Sequence, residues 1–258
     1  MKSIFHNKAR AFCFASTLIM SASAMQANAQ SLEISAAKEL LWDQTQSLYE
    51  AIGDANATRG TQSISAQTLR AKYDNSTDEQ EINRIIAIDD VRFSDERLSG
   101  KGTHLDYDVR QNFYALKGPG AEINSKDGTA KAKTLLTFDR ANGVMTAQDN
   151  GEILMSDGRI LKGAFIEILL SETEDIKTID AEGNVFVQQA DGKQAFAKSG
   201  RYNAETDKAI LIGDVKIIDG DSILNGQKAE IDFNSGISRL LAGENSGRVT
   251  GTLVSSGD

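Results

Sequence analysis

The stretch AILIGDVKIIDGDSILNGQKAEIDF, Ala209 to Phe233, decides how the whole chain is read. Its first half alternates, so Ala209, Leu211, Gly213, Val215 and Ile217 fall on one face of an extended strand. Asp219-Gly220 follows as a turn signal. Leu224, Gly226, Ala229, Ile231 and Phe233 then form a second extended run. The Asn225-Gly226 pair inside that run predicts a kink or bulge near Gly226. Alone, this is one hairpin.

The chain repeats it. Ile85 to Tyr107 aligns without a gap over its first nine residues, placing Val91 on Val215 and Phe93 on Ile217. Its second half puts Thr103, Leu105 and Tyr107 at Ala229, Ile231 and Phe233. Tyr49 to Tyr73 and Ile179 to Ala204 follow the same plan. Leu116 to Phe138 is a looser copy and Val144 to Ile168 the loosest. The anchor positions Gly53, Asp89, Gly118, Asp149, Gly183 and Gly213 lie 36, 29, 31, 34 and 30 residues apart. A period drifting near 30, with about two strands per unit, describes a repeat architecture or a barrel of similar hairpins.

Around this core the chain has a simple layout. Lys2, Lys8 and Arg10, an apolar run from Ala11 to Met25, and Ala27-Asn28-Ala29 before Gln30 make residues 1–29 a cleavable secretory leader. Cys13, the only cysteine, lies inside it, so the remainder has no disulfide or thiolate metal site. The whole chain is −9 and the leader +3, so the remainder is −12. Such a charge argues against nucleic acid and against anionic lipid surfaces as partners. One proline, Pro119, and 22 glycines suit regular strands with tight turns. Asp127-Gly128, Asn142-Gly143, Asn150-Gly151, Asp157-Gly158, Asp191-Gly192 and Asp219-Gly220 read as those turns. Asp74 to Asn83 reads as a long polar hairpin loop. Ser31 to Ile52 could be an amphipathic helix, but ISAAKELLWD resembles ISAQTLRAKYD in the next unit. Ile34 to Trp42 is therefore read as a strand. Ile237 to Val254 adds one or two strands, and residues 255–258 form a disordered tail.

No catalytic constellation can be assembled. His104 is the only histidine beyond the leader, and it precedes Leu105 on the opposite face of a strand. One histidine and no cysteine argue against a nucleophile–base pair or a zinc site. Acid clusters such as Asp89-Asp90 and Glu172 to Asp175 suit solvated turns, although paired acids could also serve a glycosidase or bind calcium. No phosphate loop or dinucleotide fingerprint occurs, and no cofactor is expected. The repeat-equivalent apolar positions Val91, Phe93, Leu105, Tyr107, Phe138, Val185, Val187, Tyr202, Val215, Ile217, Ile231 and Phe233 are the candidate inner face. They could be packed core or the lining of a ligand site, since both need the same alternation.

Units of this form resemble the OstA/LptA family of periplasmic lipopolysaccharide-transport proteins. The resemblance lies in Glu182-Gly183-Asn184-Val185, in Gly213-Asp214-Val215, and in the closing run Leu224 to Glu230 continued through Ile231, Phe233 and Gly236 to Leu241. The opening ISAAKELLWD is similar too, whereas residues 115–170 depart from the pattern. The resemblance implies an all-β, twisted, open β-jellyroll of two antiparallel sheets across residues 30–254. It implies no catalysis, and lipopolysaccharide acyl chains held against the inner face. It also implies end-to-end joining through edge strands bearing Ile34, Leu40, Trp42, Ile237 and Leu240, bridging LptC-like inner-membrane and LptD-like outer-membrane partners. Other readings stay open here: an LptC-like component that keeps its N-terminal anchor, an extracellular β-helix that binds or cleaves acidic polysaccharide, and a structural surface protein with a fully packed interior.

Overall fold

The computed structural model describes residues 32–74, 81–243 and 248–254. The expected leader, most of the polar loop after Asp74 and the tail at 255–258 lie outside the described residues. The described chain is all β. In order the strands are β1 (Glu33–Ser35), β2 (Glu39–Asp43), β3 (Leu48–Arg59), β4 (Gln62–Asp74), β5 (Glu81–Ser94), β6 (Leu98–Asp108), β7 (Phe113–Lys117), β8 (Ala121–Ser125) and β9 (Gly128–Ala132). There follow β10 (Leu135–Asp139), β11 (Val144–Met155), β12 (Ile160–Leu170), β13 (Ile176–Gln188), β14 (Gln194–Asn203), β15 (Lys208–Asp219), β16 (Ser222–Asp232), β17 (Ile237–Leu241) and β18 (Thr250–Thr252).

From β3 to β6 and from β11 to β16, each strand pairs antiparallel with the next in sequence. Between them β7 and β8 share the length of β6, and β9 and β10 share the length of β11. Every pairing among the described residues is antiparallel, so a parallel β-helix is ruled out. Ile34 to Trp42 is strand, as read, but broken: β1 and β2 take the two halves of β3. At the far end β17 and β18 divide β16 in the same way.

The expected two sheets are two halves of one continuous hydrogen-bonded sheet, folded along a seam. The anchor positions of the repeat form that seam. Gly53 and Asp54, Asp89 and Asp90, Asp149 and Asn150, Gly183 and Asn184, and Gly213 and Asp214 all have left-handed backbone, with φ between 43° and 85°. Gly118 and Gly120 do so around Pro119. Each pair is a bulge: β15 advances three residues from Ile212 to Val215 while β16 retreats two, from Lys228 to Gly226. The bend expected near Gly226 is present, but the extra residue belongs to the facing strand. Asn150-Gly151, expected as a turn, belongs to the β11 bulge. The other five dipeptides close hairpins.

The register also corrects the alignment of the repeat. Ala87 pairs with Leu105 and Ile85 with Tyr107, just as Leu211 pairs with Ala229 and Ala209 with Ile231. Leu105 and Tyr107 therefore stand at Ala229 and Ile231, two residues from the expected positions. A shift of two keeps each residue on the same face.

The seam sets a prediction with two signs. A Cβ at Gly183 would sit 2.8 Å from the Ala164 Cβ, at φ +75°. Gly183→Val should lower stability by roughly 2 kcal/mol or more, as a branched side chain in left-handed backbone must. Asp89→Gly, at φ 61°, relieves the same strain and should be neutral or stabilising by up to about 1 kcal/mol. Denaturant midpoints check both, and equal losses in the two variants would contradict the role of the seam.

Candidate functional site

The two half-sheets face each other across one apolar interior. The first half-sheet holds β2, β7, β10 and β17 with the matching halves of the long strands; the second holds β1, β8, β9 and β18 with the others. Beside the seam the buried positions pair a small group with a larger one: Ala51 with Leu69, Ala87 with Leu105, Ala147 with Ile166 and Ala229 with Leu211. A small side chain on one strand makes room for the larger one on its neighbour. Farther from the seam aromatic rings join them. Phe93, Tyr107, Tyr114 and Phe138 form a row of rings, with Tyr114 4.1 Å from Tyr107, 5.8 Å from Phe93 and 6.1 Å from Phe138.

Ten of the candidate inner-face residues are buried in this interior: Val91, Phe93, Leu105, Tyr107, Phe138, Val185, Val187, Val215, Ile217 and Ile231. Tyr202 and Phe233 are half-buried and pack against it from the open side. Sequence reasoning missed Tyr114, Ile123, Met145, Ile153 and Ile168, all buried. Most of these lie in the stretch where the repeat is loosest. Gly118-Pro119-Gly120, once recognised as the seam, would have set their faces.

Opposite the seam the turns of the two half-sheets meet and form a mouth. Arg140, after β10, donates to Asp95 of the β5–β6 turn at 2.6 Å and to Glu174 at 2.5 Å. Arg159 of the β11–β12 turn donates to Asp207 at 2.7 Å and lies over the rings of Phe233 and Tyr202, 4.5 and 5.0 Å from their centres. Lys126 pairs with Asp175, and the Ile176 N–H donates to Asp127 at 3.0 Å. All but the Arg140–Glu174 pair, which lies within the first half-sheet, tie one half-sheet to the other. Burial raises the Tyr202 hydroxyl above its ordinary value, and its hydrogen bond to Asp207 adds to this.

Beneath Arg97, Lys126 and Glu174 a cleft of about 300 Å³ enters the interior. Its depth is apolar: Leu98, Ile123, Phe138, Met145, Ile153 and Ile168. That volume is at the lower end for small-molecule sites. At the two ends of the sheet the terminal strands carry exposed apolar groups. Leu40, Trp42 and Ile237 are 58%, 49% and 61% exposed. Ile34 and Leu240 pack half-buried against the core. No group of three or more potential metal ligands occurs among the described residues.

The family model described as "LptA/(LptD N-terminal domain) LPS transport protein" matches residues 33–144 and 136–237. The chain belongs to this family of lipopolysaccharide-transport proteins. Comparison with curated proteins gives no match. Among solved structures, the chain is similar to LptH, the LptA homologous periplasmic component of the conserved lipopolysaccharide transport device from Pseudomonas aeruginosa. Identity is 12%, coverage 88% of this chain and 96% of that one, and the TM-score 0.22. Membership places the chain in a transport family, and its two model matches run almost from one terminal strand to the other.

The Arg140 clasp should make stability depend on acid. Burial disfavours the charged form of Asp95, but N–H bonds from Arg97 and Leu98, with Arg140, outweigh it and hold its pKa below the ordinary 3.8. Such a group contributes stability that is complete above that value and disappears as the pH falls below it. Arg140→Ala removes the guanidinium from two largely buried carboxylates, leaving Asp95 its two N–H bonds and Glu174 only Arg97 at 3.9 Å, and should cost about 2–3 kcal/mol at pH 7. The loss should shrink as the pH falls below the ordinary carboxylate value toward the lowered pKa of Asp95. Urea midpoints at pH 7 and pH 3.5 test this; a loss independent of pH would contradict it.

Proposed function

We propose that this protein is a periplasmic carrier of lipopolysaccharide. Acyl chains lie between the two half-sheets, and copies joined edge to edge bridge an LptC-like inner-membrane partner to an LptD-like outer-membrane partner. One observation carries this reading. A single apolar interior runs under every long strand from β3 to β16, is entered by a cleft at the mouth, and ends at two strand edges that nothing among the described residues covers.

The physics suits a carrier. Each buried methylene gains roughly 0.8 kcal/mol, so a lipid with several acyl chains cannot cross water unshielded. Apolar side chains cover such chains without fixed polar geometry. Nothing catalytic is proposed, because a transport family and an interior without reactive groups call for none. The cleft at Phe138 is the place where a chain can enter without repacking the seam. Chains reaching into the tighter parts of the interior require the half-sheets to part, with the clasped turns as the limit of that movement. Free edges are ordinarily a liability, managed by charge or by covering. Here Leu40, Trp42 and Ile237 leave them apolar, which favours strand addition between copies. The leader at residues 1–29 supplies export to the periplasm.

Photo-crosslinking tests the cargo site. A crosslinking residue at Ile168, which lines the cleft, should capture lipopolysaccharide, and one at the outward neighbour Glu167 should not. A folded protein that captures it at neither position would overturn the reading. Edge joining has its own test. Leu40→Asp with Ile237→Asp should lower self-association about tenfold or more, the scale of losing one buried apolar contact at each joint. Sedimentation over a range of concentrations measures it, and unchanged association would remove the edges from the assembly.

A further inference from the structure

The outer face of the second half-sheet differs from the rest of this acidic chain. Register sets Lys162, Phe186, Phe196 and Lys216 side by side on four successive strands, β12 to β15. They point away from the interior, since Leu161, Val187, Ala195 and Val215 beside them in the chain are buried. The two phenylalanine rings lie 5.2 Å apart, tilted at 54°, and Phe196 is 37% exposed. One pair nearer the mouth, Gln188 faces Gln194 on the same side. The row continues through Lys131, Lys101 and Arg92, interrupted by Glu152 and Glu122. It thus holds more cations than carboxylates, in a chain whose net charge is −9.

We propose that this face binds an anionic oligosaccharide. Sugar rings present apolar C–H faces that pack on exposed aromatic rings, as on Phe186 and Phe196. The Gln188 and Gln194 amides each offer donors and an acceptor to hydroxyl groups. Lys162 and Lys216 stand at either end of the ring pair to meet phosphate or carboxylate groups. Lys162 already reaches Glu152 at 2.7 Å, a surface pair that a ligand anion can displace. The row crosses strands about 4.8 Å apart, so the four central residues span roughly 15 Å, the shape of a short extended chain. A bilayer fits less well: the turns beside this face carry Asp157, Asp191, Asp219 and Asp221 against Arg159 and Lys193, so a broad anionic surface would meet an excess of carboxylate that a short chain lying along the row avoids.

The site lies just beyond the second half-sheet's lip of the mouth, between the β11–β12 and β13–β14 turns. An amphiphile with its acyl chains inside would bring its saccharide to this surface. Only that identification of the glycan rests on the carrier reading; the binding face does not.

The test is calorimetric titration of the full chain with the phosphorylated oligosaccharide left after complete deacylation of lipopolysaccharide. The unmodified protein should bind it. Phe196→Ala with Lys216→Gln should weaken binding about tenfold or more, while Phe196→Tyr retains it. Binding of a fluorescent fatty-acyl probe and the thermal midpoint should be unchanged in all of them. No binding by the unmodified protein, or equal binding by the double variant, overturns the proposal. It also falls if the oligosaccharide does not bind but the same substitutions abolish co-sedimentation with phosphatidylglycerol vesicles. If the acyl probe fails to bind while the oligosaccharide does, the carrier reading falls and this one stands.

Discussion

The paired left-handed residues in alternate strands are the constraint on which the rest of the structure depends. A regular antiparallel sheet of this many strands would twist as one open surface and leave an apolar face in water. Two consecutive residues of reversed handedness, repeated at the same level in β3, β5, β11, β13 and β15, bend each strand at one point instead. Because the bends line up, the sheet folds in half and buries its own inner face. Strand parity survives the bulge, so Ala209, Leu211, Val215 and Ile217 all remain inside. Beside the seam small and large side chains alternate across the ladder, as Ala87 with Leu105 and Ala229 with Leu211.

This arrangement separates what holds the fold from what the fold offers. The seam fixes the geometry at one side. Arg140, Arg159 and Lys126 bind the turns at the other, through ion pairs on hairpin loops that can part without disturbing the strand ladder. Between them lies an interior with no buried charged side chain among the described residues. Such an interior discriminates little by hydrogen bonding and mainly by length and cross-section. That suits a transport family, whose cargo must be released as well as held. Selectivity of a finer kind then falls to polar groups around the mouth and on the outer faces.

Much of this was legible in the sequence, for a physical reason. Strand alternation reports burial directly, so the inner face could be read wherever the repeat was clear, as at Val185, Val215 and Ile231. The anchor positions were visible because left-handed backbone selects Gly, Asn and Asp. Their meaning was not, since the same residues also make turns; Asn150-Gly151 was read as a turn and is a bulge. The placement of Leu105 and Tyr107 slipped by two because alternation fixes the face but not the rung. Residues 113–139 resisted because Gly118-Pro119-Gly120 and the break at Lys133-Thr134 leave strands of five residues, too brief to show a period. The mouth was invisible, since Arg140 with Asp95 and Arg159 with Asp207 join segments about 45 residues apart or more, through contacts that leave no local pattern. The Phe186–Phe196 face went unremarked because exposed aromatics on the outer side of a strand look, in one dimension, like irregularities in the alternation.

The nearest-neighbour order of the strands has a consequence for how such a protein changes over evolutionary time. Each bent hairpin pairs only with the hairpin before it and the one after it, and brings its own segment of seam, interior and mouth. Duplicating or deleting one unit of about 30 residues would lengthen or shorten the molecule by two strands, about 10 Å, without altering any other pairing. The span of the protein is therefore set in discrete steps by gene length, while the cross-section stays constant. The drifting spacing of the anchors, from 29 to 36 residues, is what a row of once-identical hairpins would show after its turns had diverged independently.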